Sequence, residues 1–187
     1  ADWDAGVLEG QAVALTDAMK VSDRIVQRLA GFELRDIDTE IVSTSGARIA
    51  QKVHIISRGM MAVAQDGAVT QRRTANGYLA RTNQGGAELV DMEGGRAEAA
   101  RIAGQAVELL TAAECPPGRA DLVIDPDQVM LQVHESVGHP LELDRILGDE
   151  RNYAGASFVK LPDIGTLRYG SPLMNITFDP TIGKEAA

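Results

Sequence analysis

Residues 134–139 read His-Glu-Ser-Val-Gly-His, which places two imidazoles and a carboxylate within six positions. Neutral imidazole nitrogens are good zinc ligands, and a carboxylate beside the metal can take a proton from water and pass it to a leaving amine. The composition is that of a zinc hydrolase helix. The familiar spacing, however, is H-E-x-x-H, and His134 and His139 stand one residue further apart. On a regular helix, residues four apart differ in direction by roughly 40° and residues five apart by roughly 140°. A straight α-helix would therefore point the two rings away from each other. Gly138 and Pro140 relax the objection, because glycine lets a helix distort or end while proline disfavours the α region for His139 and stops the helix. A bulge of one extra residue would swing His139 back toward the face carrying His134, and such bulges are frequent at functional sites. The pattern is compatible with His134 and His139 as metal ligands and Glu135 as general base. Its bland alternative is a buried helix with two incidental histidines and a capping or surface glutamate. Two imidazoles are also fewer than the three protein ligands usual for catalytic zinc, so a further donor is required.

Other residues are weaker candidates. Glu142 and Asp144 follow the motif at alternating positions, where they could orient the histidines, complete a metal shell or form a solvated acidic loop. Tyr153 could line a substrate channel or pack against Gly155. Arg145, Asp149, Glu150 and Arg151 read as surface charge. His54, in Lys-Val-His-Ile-Ile, reads as a packed or half-exposed strand residue. Cys115, the single cysteine, cannot form an internal disulfide and precedes Pro116-Pro117-Gly118 at the end of a helical stretch, so it reads as structural.

The motif needs elements to hold it. Apolar residues from Val7 to Leu29 recur at helical spacing and predict one or two helices. From Phe32 to Ala80 the chain is rich in Val, Ile and Thr, and Ser45-Gly46 and Asp66-Gly67 mark hairpin turns, which predicts an antiparallel meander of three or four strands. Gly85-Gly86 and Gly94-Gly95 bracket a loop. Arg96–Ala113 is alanine-rich and predicts a helix ending before Pro116-Pro117-Gly118. Ala120–Ile124 reads as a short strand, and Asp125 or Asp127 can cap the helix that carries the motif. After Pro140 glycines and prolines interrupt the chain, and only Leu173–Phe178 reads as a strand. The fold class expected is α+β, an antiparallel sheet packed against helices, with the motif on a short helix after a strand. The expected division is 1–140, an α/β domain with the motif helix, and 141–187, the loop-rich start of a following region.

Composition narrows the partners. With 44% hydrophobic residues, 187 residues can bury a core. A net charge of −9, with no Lys/Arg cluster, argues against nucleic acid as a direct partner. No apolar run suits a membrane span or signal peptide, so the cytoplasm is the default compartment.

The string HESVGHPLELDRILGDERNYAGASF, followed by LRYGSPLMNITFD, resembles the TldD/PmbA family of metalloproteases, also described as modulators of DNA gyrase. Upstream, STSGARIAQKVHIISRGMMAVAQDG is similar to a hairpin segment of that family, so the resemblance covers most of the chain. H-E-x-x-x-H followed by L-E-x-D marks the TldD branch. The resemblance implies zinc on His134 and His139, Glu135 as general base, unfolded or short peptides as substrates, and a homo- or heterodimer enclosing a chamber. A strand-rich surface could engage such a peptide by adding it as a strand. Pro140 and Leu143 stand where many members have glycine. Family chains are more than twice this long, and their third zinc ligand is a cysteine of a C-terminal domain; Cys115, before the motif, does not match it. The chain thus reads as a fragment with the histidine half of a zinc site, inactive alone. The competing expectation is a non-catalytic assembly module of a TldD/PmbA-type complex. Direct gyrase or DNA binding is a third reading, disfavoured by the charge.

Overall fold

In a computed structural model the structure describes residues 4–75, 81–90 and 92–179. The last few residues and 76–80, the end of the expected meander, lie outside them. The chain divides into two compact units, the second being Gly118–Phe178. Residue 140, the expected boundary, falls inside this second unit, which holds the whole His134–His139 motif.

The first unit is an antiparallel sheet covered by two helices. Helix α1 (Ala5–Ala18) starts at Asp4, whose Oδ1 accepts the amides of Gly6 at 2.9 Å and Val7 at 3.2 Å. Such a cap supplies acceptors to amides that have no partner within the helix. The helix is shorter than its apolar spacing predicts. Ile25, Val26 and Leu29 belong to strand β1 (Ile25–Val42), because ladder pairing such as Leu29 with Met61 overrides a local helical period. Strand β2 (Arg48–Asp66) returns through a turn in which Gly46 takes φ 89°, a conformation glycine adopts without steric cost. Strand β3 (Val69–Thr74) follows at Asp66-Gly67, and β4 (Arg81–Gln84) shares the β3 edge of β2 by pairing with Ile55–Arg58. All pairs are antiparallel and the α+β class describes the fold; β1, β2 and β3 form the expected meander, from which β4 departs by pairing with β2.

Helix α2 (Met92–Leu109) begins earlier than the sequence pattern suggests, taking Gly94-Gly95 into its first turns, and ends before Ala113. The packing gives a reason. A Cβ on residue 95 would stand 2.6 Å from Nη1 of Arg58, so glycine lets the helix lie against β2. Arg58 is 8% exposed and donates from Nη2 to Glu98 Oε2 at 2.8 Å, an ion pair that ties strand to helix. Alternate residues of β2, namely Met60, Ala62 and Ala64, meet Leu15 and Met19 of α1 and Ala99, Ile102, Ala103 and Ala106 of α2. The alanines let the helices approach the sheet closely, while Leu15, Met19 and Ile102 supply bulk, each worth about 1.5–3 kcal/mol on full burial.

The second unit is built differently. Ala120–Ile124 and Leu173–Phe178, both expected as strands, pair with nothing among the described residues; β-branched composition makes a strand only where a partner supplies the ladder. Helix α3 (Pro126–Val133) begins after Asp125, with Pro126 where a first-turn proline is tolerated. A five-residue π turn (His134–Gly138) and a 3-10 turn (His139–Leu141) continue it, and α4 (Leu143–Leu147) ends at Gly148 with φ 91°. No helix among the described residues is long and apolar enough to cross a membrane.

Candidate metal centre

The π turn answers the spacing problem. His139 donates its backbone amide to the carbonyl of His134, five residues back, so one extra residue is taken into the turn. The rings, which an α-helix would separate, then meet: Nε2 of His134 lies 2.7 Å from Nε2 of His139, and the centroids stand 4.3 Å apart at 70°. The extra-residue bulge expected from Gly138 is therefore present. Its mechanism differs in one detail from the expectation. His139 stays in the right-handed helical region (φ −58°, ψ −43°) despite the following proline, and the chain leaves that region only at Glu142 (ψ 126°). A proline ring clashes with the carbonyl four residues back in an α-helix, and the wider π turn gives it room.

His134, Glu135 and His139 present one ligand atom each within 4.8 Å of one another. Glu142 lies behind this cluster. Its Oε1 accepts from Nδ1 of His139 at 2.7 Å, and its other oxygen accepts from Nε of Arg145. These contacts, the His139 hydrogen bond first and Arg145 second, hold the Glu142 carboxyl below the ordinary carboxylate range. An ionised carboxylate only accepts, so the proton of neutral His139 sits on Nδ1 and the lone pair on Nε2. That tautomer is the one a cation needs, and a carboxylate on the remote nitrogen is the usual support of a metal-bound histidine. The donor set therefore fits a transition-metal ion. With that tautomer Nε2 of His139 is the acceptor and Nε2–H of His134 the donor of the hydrogen bond between the rings, which a cation held by both nitrogens would replace.

Glu135 is exposed and makes no hydrogen bond or ion pair among the described residues, which leaves both of its oxygens available. Asp144 is not brought to the cluster: its Oδ1 accepts the amide of Arg145 at 2.8 Å at the start of α4. Tyr153 is 94% exposed. Arg145, read from the sequence as surface charge, is half of the support for Glu142, and its Nη1 also donates to the carbonyl of Ala154 at 2.8 Å. The spacing of Glu142 and Arg145, three residues apart on a turn, could have suggested the pair. His54 lies in β2 and shares a 2.5 Å hydrogen bond between Nδ1 and Oδ1 of Asp36, its ladder partner, which holds the Asp36 carboxyl below its usual range. Cys115 is exposed and unpaired. In the first unit a cavity bounded by Ile56, Arg58, Arg81, Asn83, Leu89 and Val90 measures about 80 Å³. Ligand pockets run from about 300 Å³ upward, so this cavity is too small to be one.

No protein-family model matches the chain. A metalloprotease of Methanothermobacter thermautotrophicus is 28% identical over 160 residues, which are 86% of this chain and 33% of that protein. A crystal structure from Thermotoga maritima, of a protein described as a modulator of a DNA gyrase, superposes on 62% of this chain and 25% of its own with a TM-score of 0.50 and 16% identity. The chain thus spans about a third of the curated relative's length and shares its fold with about a quarter of the solved neighbour.

Proposed function

We propose that this chain carries the histidine half of a zinc peptidase site of the TldD type, which hydrolyses peptide bonds of unfolded or short peptides. The observation that carries the reading is the meeting of the two Nε2 atoms at 2.7 Å with Glu142 on the far nitrogen of His139. Likeness to a protein named metalloprotease supports it. His134 and His139 would hold the ion. Bound there, zinc supplies Lewis acidity, polarising a peptide carbonyl and acidifying water. Glu135, with no competing ion pair, takes the proton of the attacking water and returns it to the leaving amine nitrogen. Glu142 keeps the Nε2 lone pair of His139 aimed at the ion. With Glu135 reserved as base, a third protein ligand comes from beyond the described residues, and the chain is inactive by itself. The working assembly is a homo- or heterodimer in the cytoplasm with a TldD/PmbA-type subunit.

One observation favours a second reading, a non-catalytic assembly module. Between 118 and 178 only Ser157 and Val159 are buried, while Leu122, Val123, Leu173 and Phe178 stand 79–93% exposed. Such a unit has more apolar surface to cover than it covers itself.

Metal content discriminates the two readings. After dialysis against zinc and a wash, elemental analysis of the chain should find zinc that is lost from His134→Ala and His139→Ala and kept in Glu135→Gln. In a preparation that cleaves peptides, Glu135→Gln should lower the hydrolysis rate by about 10²–10⁴-fold. Equal zinc in all variants removes the peptidase reading and leaves the assembly module; no zinc in any means that the two histidines hold no ion without the third ligand, and the Glu135→Gln rate in the cleaving preparation then decides between the readings.

A further inference from the structure

We infer that Tyr169 is a positioning residue of the metal centre, its hydroxyl replacing the backbone donor that Pro140 lacks and so holding the π turn on which His134 and His139 meet. The inference rests on the zinc-site reading above and extends it to a residue outside the motif.

The argument begins with the carbonyl of Ser136. In an α-helix it would accept the amide of residue 140, but that residue is Pro140 and has no N–H. Further on, the chain tightens into a 3-10 turn, in which amides bond three residues back, as Glu142 does to the carbonyl of His139 at 3.2 Å. Pro140 therefore removes the amide that an α-helix would offer Ser136. The hydroxyl of Tyr169, 33 residues along the chain, donates to this carbonyl instead. Its ring packs on Phe158 with centroids 5.1 Å apart. One residue before Phe158, Ser157 donates from Oγ to the carbonyl of Pro140 at 2.6 Å. Ser157 and Val159, 7% and 5% exposed, anchor the segment. Two carbonyls, one on each side of His139, are thus held by side chains of a single strap, 157–169.

Without the Tyr169 hydroxyl the Ser136 carbonyl turns to water, and the π turn is left to its backbone bond from His139 to His134 and to the space that Pro140 requires, so it is held less firmly. A looser turn lets the two rings drift from the close Nε2–Nε2 approach on which the site depends. Tyr169 bonds a backbone carbonyl and stacks on Phe158, so its effect on the site passes through the turn that carries the histidines.

Tyr169→Phe tests this, since it keeps the ring stack and deletes only the hydroxyl. Three quantities are read on the chain and its variant: thermal unfolding, the long-range imidazole ¹H–¹⁵N spectrum without metal, and titration with Co²⁺ followed by visible absorption. The expected result is an unchanged unfolding midpoint, loss of the His134–His139 N–H···N signature, and Co²⁺ affinity lower by about tenfold or more, the range for groups that orient a ligand. An imidazole spectrum identical to that of the parent overturns the inference, whatever the metal does. If the parent binds no more Co²⁺ than His139→Ala, the two histidines hold no ion without a third ligand, and the imidazole spectrum recorded without metal still decides on Tyr169. Ser157→Ala, which removes the other hydrogen bond of the strap, should perturb the same imidazole signals to a smaller extent.

Discussion

Glu142 touches His139 with one carboxylate oxygen and Arg145 with the other, and this double contact settles which nitrogen of His139 carries the proton. Replacing it by glutamine removes the charge and leaves a group that can donate as well as accept, so His139 loses its tautomer bias. Glu142→Gln is expected to weaken zinc binding by about 10–100-fold with the fold intact, measured by competition with a chromophoric chelator. An affinity equal to that of the parent would mean that Glu142 only anchors Arg145. The motif letters name His134, Glu135 and His139, and Glu142 was already legible as a possible support. Arg145 was not, because its role comes from a side chain reaching back along a turn, and a basic residue in an acidic loop looks like surface charge. Tyr169 had no signal at all, since nothing in its neighbourhood points to a carbonyl 33 residues earlier.

At the scale of elements, the same local rule succeeds or fails according to what packs against it. Turns at Gly46 and Gly67 were predictable because positive φ is a local requirement. The start of α2 was not, because Gly94-Gly95 reads as a breaker pair and only the arginine beneath explains a helix there. Gly95→Ala is expected to destabilise the first unit by about 1–3 kcal/mol in chemical denaturation, the range for overpacking, because Arg58 must shift away from Glu98 to admit the methyl. Gly104→Ala, in the same helix with open space around its Cα, should leave stability unchanged or raise it by up to about 1 kcal/mol through helix propensity. Equal effects at the two sites would remove the packing explanation. The strand β1 illustrates the opposite failure, in which Ile25, Val26 and Leu29 continue a helical apolar period but are taken by the ladder with β2.

For the whole molecule, two facts stand side by side: a net charge of −9 and a second unit with its apolar side chains in water. The charge favours solubility and opposes approach to phosphate backbones. The exposed side chains ask for cover. An apolar dye such as ANS should therefore bind the chain, and Leu173→Ser with Phe178→Ser should reduce that binding while shifting stability by no more than about 0.5 kcal/mol, as expected where a side chain packs against nothing. A large loss of stability would show that these residues are already packed. Ala120–Ile124 and Leu173–Phe178 belong to the same account, since their composition is that of strands and their pairing is missing among the described residues.

The sequence alone determined the local quantities: the hairpin turns, the alanine-rich helix, the α+β class and the grouping of two imidazoles around a carboxylate, with a glycine and a proline where a bulge is needed. These depend on residues close in the chain, where propensity, φ preference and side-chain type act directly. Tertiary structure decided the rest. It placed Glu142 and Arg145 behind His139, and Ser157 and Tyr169 beneath the π turn. It left Tyr153 exposed and set Asp144 on the amide of Arg145, and gave Ile25–Leu29 to the sheet. Each of these depends on a partner distant in sequence or on a hydrogen bond left open by a particular turn, and such requirements exist only once the chain has folded.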